Sequence, residues 1–79
     1  MIHVKNKALI KAIGEKIQLL RKKRGLSQEQ LAYEADIMLS QIGRIERGET
    51  NPTISTLAVL AEALQVPLTE LVDVKLKNK

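Results

Sequence analysis

The sequence predicts an all-α fold, a compact domain of five helices. Apolar residues recur at three- and four-residue steps in successive segments, which is the period of an amphipathic helix. The hydrophobic content of 44% is almost wholly aliphatic, with one Tyr and no Phe or Trp, whereas a β-sandwich would favour β-branched and aromatic residues. The length of 79 residues allows one domain with a modest core.

The first predicted helix runs from about Lys7 to Arg24. One buried stripe is expected along it, formed by Ile10, Ile13, Ile17 and Leu20. Cations crowd its last turn in the sequence RKKR at residues 21–24, where they suit the helix dipole, and Gly25 supplies the stop. Contact with phosphate groups is the other explanation for these cations, and the sequence leaves both open.

Two short helices joined by a tight turn are predicted next. Ser27 and Gln30 have the spacing of a capping box at the start of helix 2. This helix should end near Ala35 and be followed by a turn at residues 36–37. Helix 3 is then expected from about Leu39 to Arg47.

The last two helices follow a loop that contains Asn51-Pro52. Thr53 is suited to cap helix 4, in which apolar residues repeat at helical spacing as far as Leu64. Pro67 is well placed to open a short helix 5 from Leu68 to about Val72.

The predicted domain occupies residues 8–72. Residues 1–7 are expected to form an N-terminal arm and residues 73–79 a C-terminal tail. Near both ends of the chain, apolar and polar residues alternate with the period of a strand. The two ends could pair, within or between subunits, or fray.

Positive charge is concentrated at the start of the chain. Residues 1–25 hold eight Lys and Arg against one acid, whereas residues 26–74 hold two against eight. The tail adds three lysines, and the net charge is +4. A basic surface indicates a polyanionic partner, although solvated helix faces would give the same balance.

The composition argues against several kinds of site. The absence of Cys removes disulfides and thiolate metal sites, and the single histidine, His3, has no partner with which to hold a metal. No serine has a histidine base nearby, and no glycine-rich phosphate loop is present. No apolar run approaches the roughly 18 residues of a spanning helix. We therefore expect a protein that is not an enzyme, has no cofactor and no metal, and works in the cytoplasm and not at a membrane.

Helix 3 has a polar face. At about 100° per residue, Ile42 and Ile45 point inward, and the opposite face carries Leu39, Ser40, Gly43, Arg44 and Arg47. Arg44 can offer a bidentate fork to guanine O6 and N7, Ser40 can donate or accept, and Leu39 can meet a thymine methyl group. An ordinary solvent-exposed helix face would have a similar composition.

The stretch from Ser27 to Gly48, SQEQLAYEADIMLSQIGRIERG, resembles the helix-turn-helix of the Cro and phage-repressor (XRE) family. Gln28 is taken as the first motif position. Ala32 then stands where the family has a small residue, and Ile42 and Ile45 stand where the family has aliphatic residues. The following IERGETNP resembles the family's exit from the recognition helix, and the resemblance covers about residues 13–72. It implies a lambda-repressor-like domain whose motif spans about residues 28–47.

The resemblance also implies roles for individual residues. Gln28 matches a glutamine that touches a phosphate and braces the reading helix. Base-facing or groove-facing positions are matched by Leu39, Ser40, Gln41 and Arg44. Contacts to the DNA backbone are matched by Arg47, Asn51 and the amides near Thr53. Arg21 and Glu46 match a structural ion pair that ties helix 1 to helix 3.

Three residues depart from the pattern expected here. Asp36 stands where Gly is common, and Asp tolerates a left-handed backbone better than most residues. Met38 replaces the usual hydroxyl cap of helix 3, a loss of around 1 kcal/mol. Gly43 inside this helix costs about another 1 kcal/mol relative to Ala. It either allows a close approach to DNA, as a DNA-binding residue, or accommodates packing.

The predicted function is sequence-specific binding of double-stranded DNA by a dimeric transcriptional regulator, a repressor. Family members pair to address two half-sites roughly 34 Å apart. The dimer contact is expected around Leu68, Leu71, Val72 and Val74. The alternative is an antitoxin-type interaction module of a toxin–antitoxin pair that also binds DNA, in which the tail would contact the toxin partner.

Overall fold

The computed structural model describes residues 6–75, and five helices account for most of that range. In chain order they are α1 Lys7–Lys23, α2 Gln28–Ala35, α3 Leu39–Glu46, α4 Ile54–Leu64 and α5 Leu68–Val72. No strand occurs between residues 6 and 75. The predicted all-α fold of five helices is therefore confirmed. The helices α1 and α3 end one residue earlier than predicted, because Arg24 and Arg47 form their C-caps.

The helices begin where the capping residues predict. Ser27 Oγ accepts a hydrogen bond from the Gln30 N–H at 3.0 Å, and Gln30 Oε1 accepts one from the Ser27 N–H at 2.7 Å. These two bonds complete the capping box of α2. Thr53 Oγ1 accepts a hydrogen bond from the Thr56 N–H at 3.0 Å at the start of α4. Met38, which precedes α3, makes no side-chain cap bond, so α3 depends more on its packing.

Four helices end in the same hydrogen-bonding motif. A residue with positive φ lies within two positions of the end of each of the helices α1 to α4. In chain order these residues are Gly25, Asp36, Gly48 and Gln65. The next amide then donates to a carbonyl of the preceding helix at 2.8–3.1 Å, in the pairs Leu26–Arg21, Ile37–Ala32, Glu49–Arg44 and Val66–Ala61. This arrangement is the Schellman motif, and it satisfies carbonyl groups that the helix itself leaves without partners.

The core is a single cluster to which all five helices contribute. Its largest fully buried side chains are Ile17, Leu31, Ile42, Ile45, Leu60, Leu64 and Leu71. Leu71 has no exposed surface, and it fixes the short helix α5 against the core. The predicted dimer contact at Leu71 is therefore wrong, because the monomer's own core occupies the whole side chain.

Helix α1 passes very close to the end of α3 at Gly14. A Cβ atom at Gly14 would collide with the carbonyl oxygen of Ile45 and would lie 2.9 Å from that of Glu46. Any side chain larger than hydrogen would push the two helices apart, since both obstacles are backbone atoms. Gly14 thus sets the position of α3 relative to α1.

The tail beyond α5 lies against α1 as far as the structure describes it. Lys16 Nζ lies 3.4 Å from the carbonyl oxygen of Asp73 and 3.4 Å from Glu70 Oε2, and Val74 packs against the core. The expected arm residues 1–5, with His3, and the tail residues 76–79 lie outside the described residues. Within residues 6–75, the helices are too short or too polar to cross a bilayer.

Candidate nucleic-acid interface

One side of α3 is anchored in the core and the other side is exposed. Ile42 and Ile45 are 0% and 1% exposed, which fixes the orientation of the helix. The opposite side carries the exposed residues Leu39, Ser40, Gln41 and Arg44. Among residues 6–75, no ion pair engages Arg44. We refer to the surface formed by these four exposed residues as the reading face.

A buried ion pair joins α3 to α1. Arg21 Nε donates to Glu46 Oε2 at 2.6 Å and Arg21 Nη2 donates to Glu46 Oε1 at 3.0 Å. Arg21 Nη1 also donates to the carbonyl oxygen of Leu26 at 2.9 Å. The structure thus contains the pair that the resemblance implied. Within residues 6–75, no buried side-chain nitrogen or oxygen lacks a partner, so burial of these charges is compensated by hydrogen bonds.

Gln28 joins the same ion pair from the first turn of α2. Its Nε2 donates to Glu46 Oε1 at 2.9 Å. The Glu46 carboxylate therefore accepts hydrogen bonds from α1 and from α2 while it belongs to α3. This contact is the bracing role expected of Gln28, whereas contact of Gln28 with a phosphate stays a prediction.

Arg47 lies back along α3 and covers Gly43. Its Nε and Nη2 donate to the two carboxylate oxygens of Glu49 at 2.8 and 3.2 Å. A Cβ atom at Gly43 would lie 2.9 Å from Arg47 Nη1, and Gly43 is buried. The Arg47 side chain occupies the space beside Gly43, and a direct DNA contact at Gly43 stays a prediction. Packing is the explanation that the structure supports for this glycine.

The hydrogen bonds between Arg47 and Glu49 stabilise the charged forms of both groups. The bond from Arg47 lowers the pKa of the Glu49 carboxyl group, and the bond to Glu49 raises the pKa of Arg47. Arg47, expected to contact the DNA backbone, thus already has a carboxylate partner. Glu49, which follows the end of α3, is a residue that sequence reasoning missed.

The four cations at the end of α1 have different surroundings. Arg21 is held by Glu46, and Arg24 Nη1 donates to the carbonyl oxygen of Ala63 at 2.6 Å and lies 3.4 Å from Glu34 Oε1. Lys22 and Lys23 are exposed. Two of these four cations therefore hold helices together, and the two lysines are accessible to an anion.

The loop after α3 carries the other two residues expected at the DNA backbone. Asn51 and Thr53 are both exposed. The Thr53 hydroxyl accepts from the Thr56 N–H and donates to Thr56 Oγ1 at 3.0 Å. A phosphate at this position would consequently meet backbone amides of α4 rather than a free hydroxyl.

Apolar side chains are exposed near the end of the domain. Val72 is 44% exposed, while Leu68 and Val74 are half-buried against the core. Leu19 on α1 is 56% exposed and lines a shallow groove together with Val74. Of the expected dimer contacts, Leu68, Val72 and Val74 keep accessible surface, and Leu19 adds apolar area that the sequence did not suggest.

Residues 17–71 match a family model described as helix-turn-helix. The chain is 45% identical over 62 residues to the HTH-type transcriptional regulator SlrR of Bacillus subtilis (strain 168), an alignment that covers 77% of this chain and 41% of SlrR. It is 40% identical over 68 residues to the control protein C.SmaI of Serratia marcescens, covering 85% of this chain and 81% of C.SmaI. The chain thus spans less than half of SlrR and most of C.SmaI.

A crystal structure of SinR, the master regulator for biofilm formation, in complex with DNA has the same arrangement of helices. The TM-score is 0.73 at 37% sequence identity, and the match covers 77% of this chain and 98% of the SinR chain. SinR occurs in Bacillus subtilis (strain 168). The fold described above is therefore also the fold of a chain crystallised with DNA.

Proposed function

The chain belongs to the helix-turn-helix family, and from this membership we propose that it is a transcriptional regulator, a repressor, that binds double-stranded DNA. In this proposal α3 enters the major groove with its reading face towards the bases. The observation that carries the proposal is the exposed polar side of a helix whose other side is anchored by Ile42, Ile45 and Glu46. The relative SinR, crystallised with DNA, supports the same use of the fold.

Base recognition would centre on Arg44. Its guanidinium can donate two hydrogen bonds to guanine O6 and N7, a contact worth roughly 1–3 kcal/mol of discrimination against other bases. Ser40 and Gln41 add hydroxyl and amide groups that can donate and accept, and Leu39 offers an apolar contact for a thymine methyl group. Because α3 is held to α1 and α2 through Glu46, these groups would reach the DNA with little reorganisation of the backbone.

Phosphate contacts would position α3 without reading sequence. Gln28 is the first residue of α2 and Arg47 is the C-cap of α3. Asn51 and the amides near Thr53 follow in the next loop. The 11-residue helix α4 directs its positive end at that loop, which favours an anion. These contacts would supply affinity that falls as salt concentration rises.

Two copies would bind together. One α3 covers few base pairs, and a dimer places two such helices in successive major grooves, roughly 34 Å apart. The dimer contact we propose uses Val72 with the half-buried Leu68 and Val74, where apolar surface remains accessible. The operator would then be two-fold symmetric, and the protein would act in the cytoplasm at the nucleoid. A toxin partner has no support from the relatives described above.

Selection from a pool of random DNA duplexes at moderate salt tests the proposal. The expected result is enrichment of a symmetric sequence, and Arg44→Ala should lose preference at one base pair in each half-site. Glu62→Gln, an exposed change on α4, is a control that should leave the preference intact. The proposal fails if no sequence is enriched and Arg44→Ala binds like the parent protein.

A further inference from the structure

Arg47 and Glu49 form a two-point contact beside the reading face. The contact uses Arg47 Nε and Nη2, at 2.8 and 3.2 Å from the carboxylate oxygens. A guanidinium has five N–H groups, so those not directed at Glu49 remain available. The side chains of Arg47 and Glu49 are 58% and 53% exposed. Arg47 can therefore keep its bond to Glu49 while its free edge donates to a DNA group.

The backbone fixes Glu49 within reach of Arg47. Gly48 has φ of 73°, and the following Glu49 N–H donates to the carbonyl oxygen of Arg44 at 2.8 Å. A Cβ atom at Gly48 would lie 2.9 Å from Lys11 Cα, so α1 holds the turn closely. The backbone of Glu49 thus belongs to a Schellman motif that packs on α1, and this motif positions the carboxylate.

Gly43 leaves the space in which the guanidinium of Arg47 lies. Side chains on an α-helix lean towards its N-terminus and cover the preceding turn. Arg47 follows this rule and covers Gly43, where any Cβ atom would be 2.9 Å from Nη1. The guanidinium therefore lies beside Gly43, one turn back along α3, and Glu49 holds one of its edges.

From this arrangement we propose that Glu49 is a specificity-determining residue that acts through Arg47. Glu49 holds the guanidinium in one orientation over Gly43. In this orientation Arg47 contributes to the binding of operator DNA but adds little to the binding of other sequences. A cation already paired with a carboxylate contributes less to the release of counterions that drives binding to any duplex. The inference rests on the proposed DNA binding through α3.

Glu49→Gln tests this role, because it removes the charge but keeps the size of the side chain. Binding to the selected operator duplex and to a scrambled duplex of equal length is measured by fluorescence anisotropy at several salt concentrations. We expect the affinity for the scrambled duplex to rise about two- to fivefold, the range of an exposed ion pair. Its salt dependence should steepen by about one ion, and the preference for the operator should fall by the same two- to fivefold.

A double-mutant cycle shows whether Glu49 acts through Arg47. In an Arg47→Ala background, Glu49→Gln should leave the preference for the operator unchanged, since there is no guanidinium to hold. Glu29→Gln is the matched control, because Glu29 is an acid in the first turn of α2 outside the Arg47 contact. It should change binding to both duplexes equally.

Gly43→Ala gives an independent test of the same geometry. The added methyl group displaces the guanidinium from its position, so the preference for the operator should fall as it does in Glu49→Gln. The inference is overturned if Glu49→Gln strengthens binding to both duplexes equally, or if it lowers the preference just as much without Arg47. If the parent protein does not distinguish the two duplexes, the proposed function fails first and this inference with it.

Discussion

Arg21 on α1 and Glu46 on α3 are joined by two hydrogen bonds of 2.6 and 3.0 Å, although 25 positions separate them in the sequence. Their side chains are 9% and 1% exposed. Gln28 on α2 donates to the same carboxylate at 2.9 Å. One acidic group therefore fixes α3 to both preceding helices, and the orientation of the reading face depends on it.

The Glu46→Ala variant should have a much lower free energy of unfolding than the parent protein. It leaves the Arg21 guanidinium buried without its partner, which costs about 3–5 kcal/mol of unfolding free energy. Replacing both charges, with Arg21→Met and Glu46→Leu together, should cost far less, because no unpaired charge stays in the core. Urea denaturation, monitored by circular dichroism, measures the loss of unfolding free energy in the single variant and in the double variant. An equal loss in the single and double variants would show that the pair is not the cause.

Gly14→Ala and Gly43→Ala should change stability in opposite directions. Both lie inside helices, where Ala is favoured over Gly by about 1 kcal/mol. At Gly14 the new methyl group meets the carbonyl oxygens of Ile45 and Glu46, and such overpacking typically costs about 1–3 kcal/mol. At Gly43 it meets only the flexible end of Arg47, so the gain in helix propensity should prevail. Thermal unfolding of the two variants gives the signs, and a Gly14→Ala variant as stable as Gly43→Ala would contradict the close crossing.

Gln65→Gly should stabilise the domain by about 1 kcal/mol. Gln65 has φ of 62°, a left-handed conformation that costs a non-glycine residue about 1–2 kcal/mol, of which the greater unfolded-state freedom of glycine offsets a part. Gln65→Ala keeps the conformational cost and serves as the control, with little change expected. Chemical denaturation of the three proteins tests this, and stabilisation by Ala as large as by Gly would argue against relief of strain.

The contact of Arg47 with Glu49 should make a small contribution to stability that depends on pH. The hydrogen bond from Arg47 lowers the pKa of Glu49. A carboxyl group with a lowered pKa adds stability above its unfolded pKa, and that stability is lost as pH falls through the folded pKa. The difference in stability between the parent protein and Arg47→Gln should therefore be present at neutral pH and disappear in acid. An NMR titration of the Glu49 carboxyl carbon would contradict this if both proteins gave the same pKa.

The helices themselves could be predicted from local signals. Ser27 and Gln30 make the predicted capping box, Pro67 precedes α5, and Asp36 takes the left-handed conformation that its position required. Each of these features depends on residues only a few positions apart. The exposed polar side of α3 follows from helical periodicity in the same way.

The partnership of Arg21 with Glu46 was implied only by resemblance to a family, since no local pattern connects two positions so far apart. The role of Leu71 was predicted wrongly for a related reason. An apolar residue in a short helix can face the core or a partner, and the choice depends on where α5 lies against the rest of the domain.

By itself, the sequence determined the all-α class, the helix boundaries to within a residue and the motif that presents α3. Only the tertiary structure decided that Gly14 is the crossing point of α1 and α3, that Arg24 holds the end of α4, and that Arg47 lies over Gly43 in contact with Glu49. Propensity, capping and periodicity act within a few residues of the chain and can be recognised there. Steric fit and ion pairing between helices depend on distances that exist only after the helices have packed.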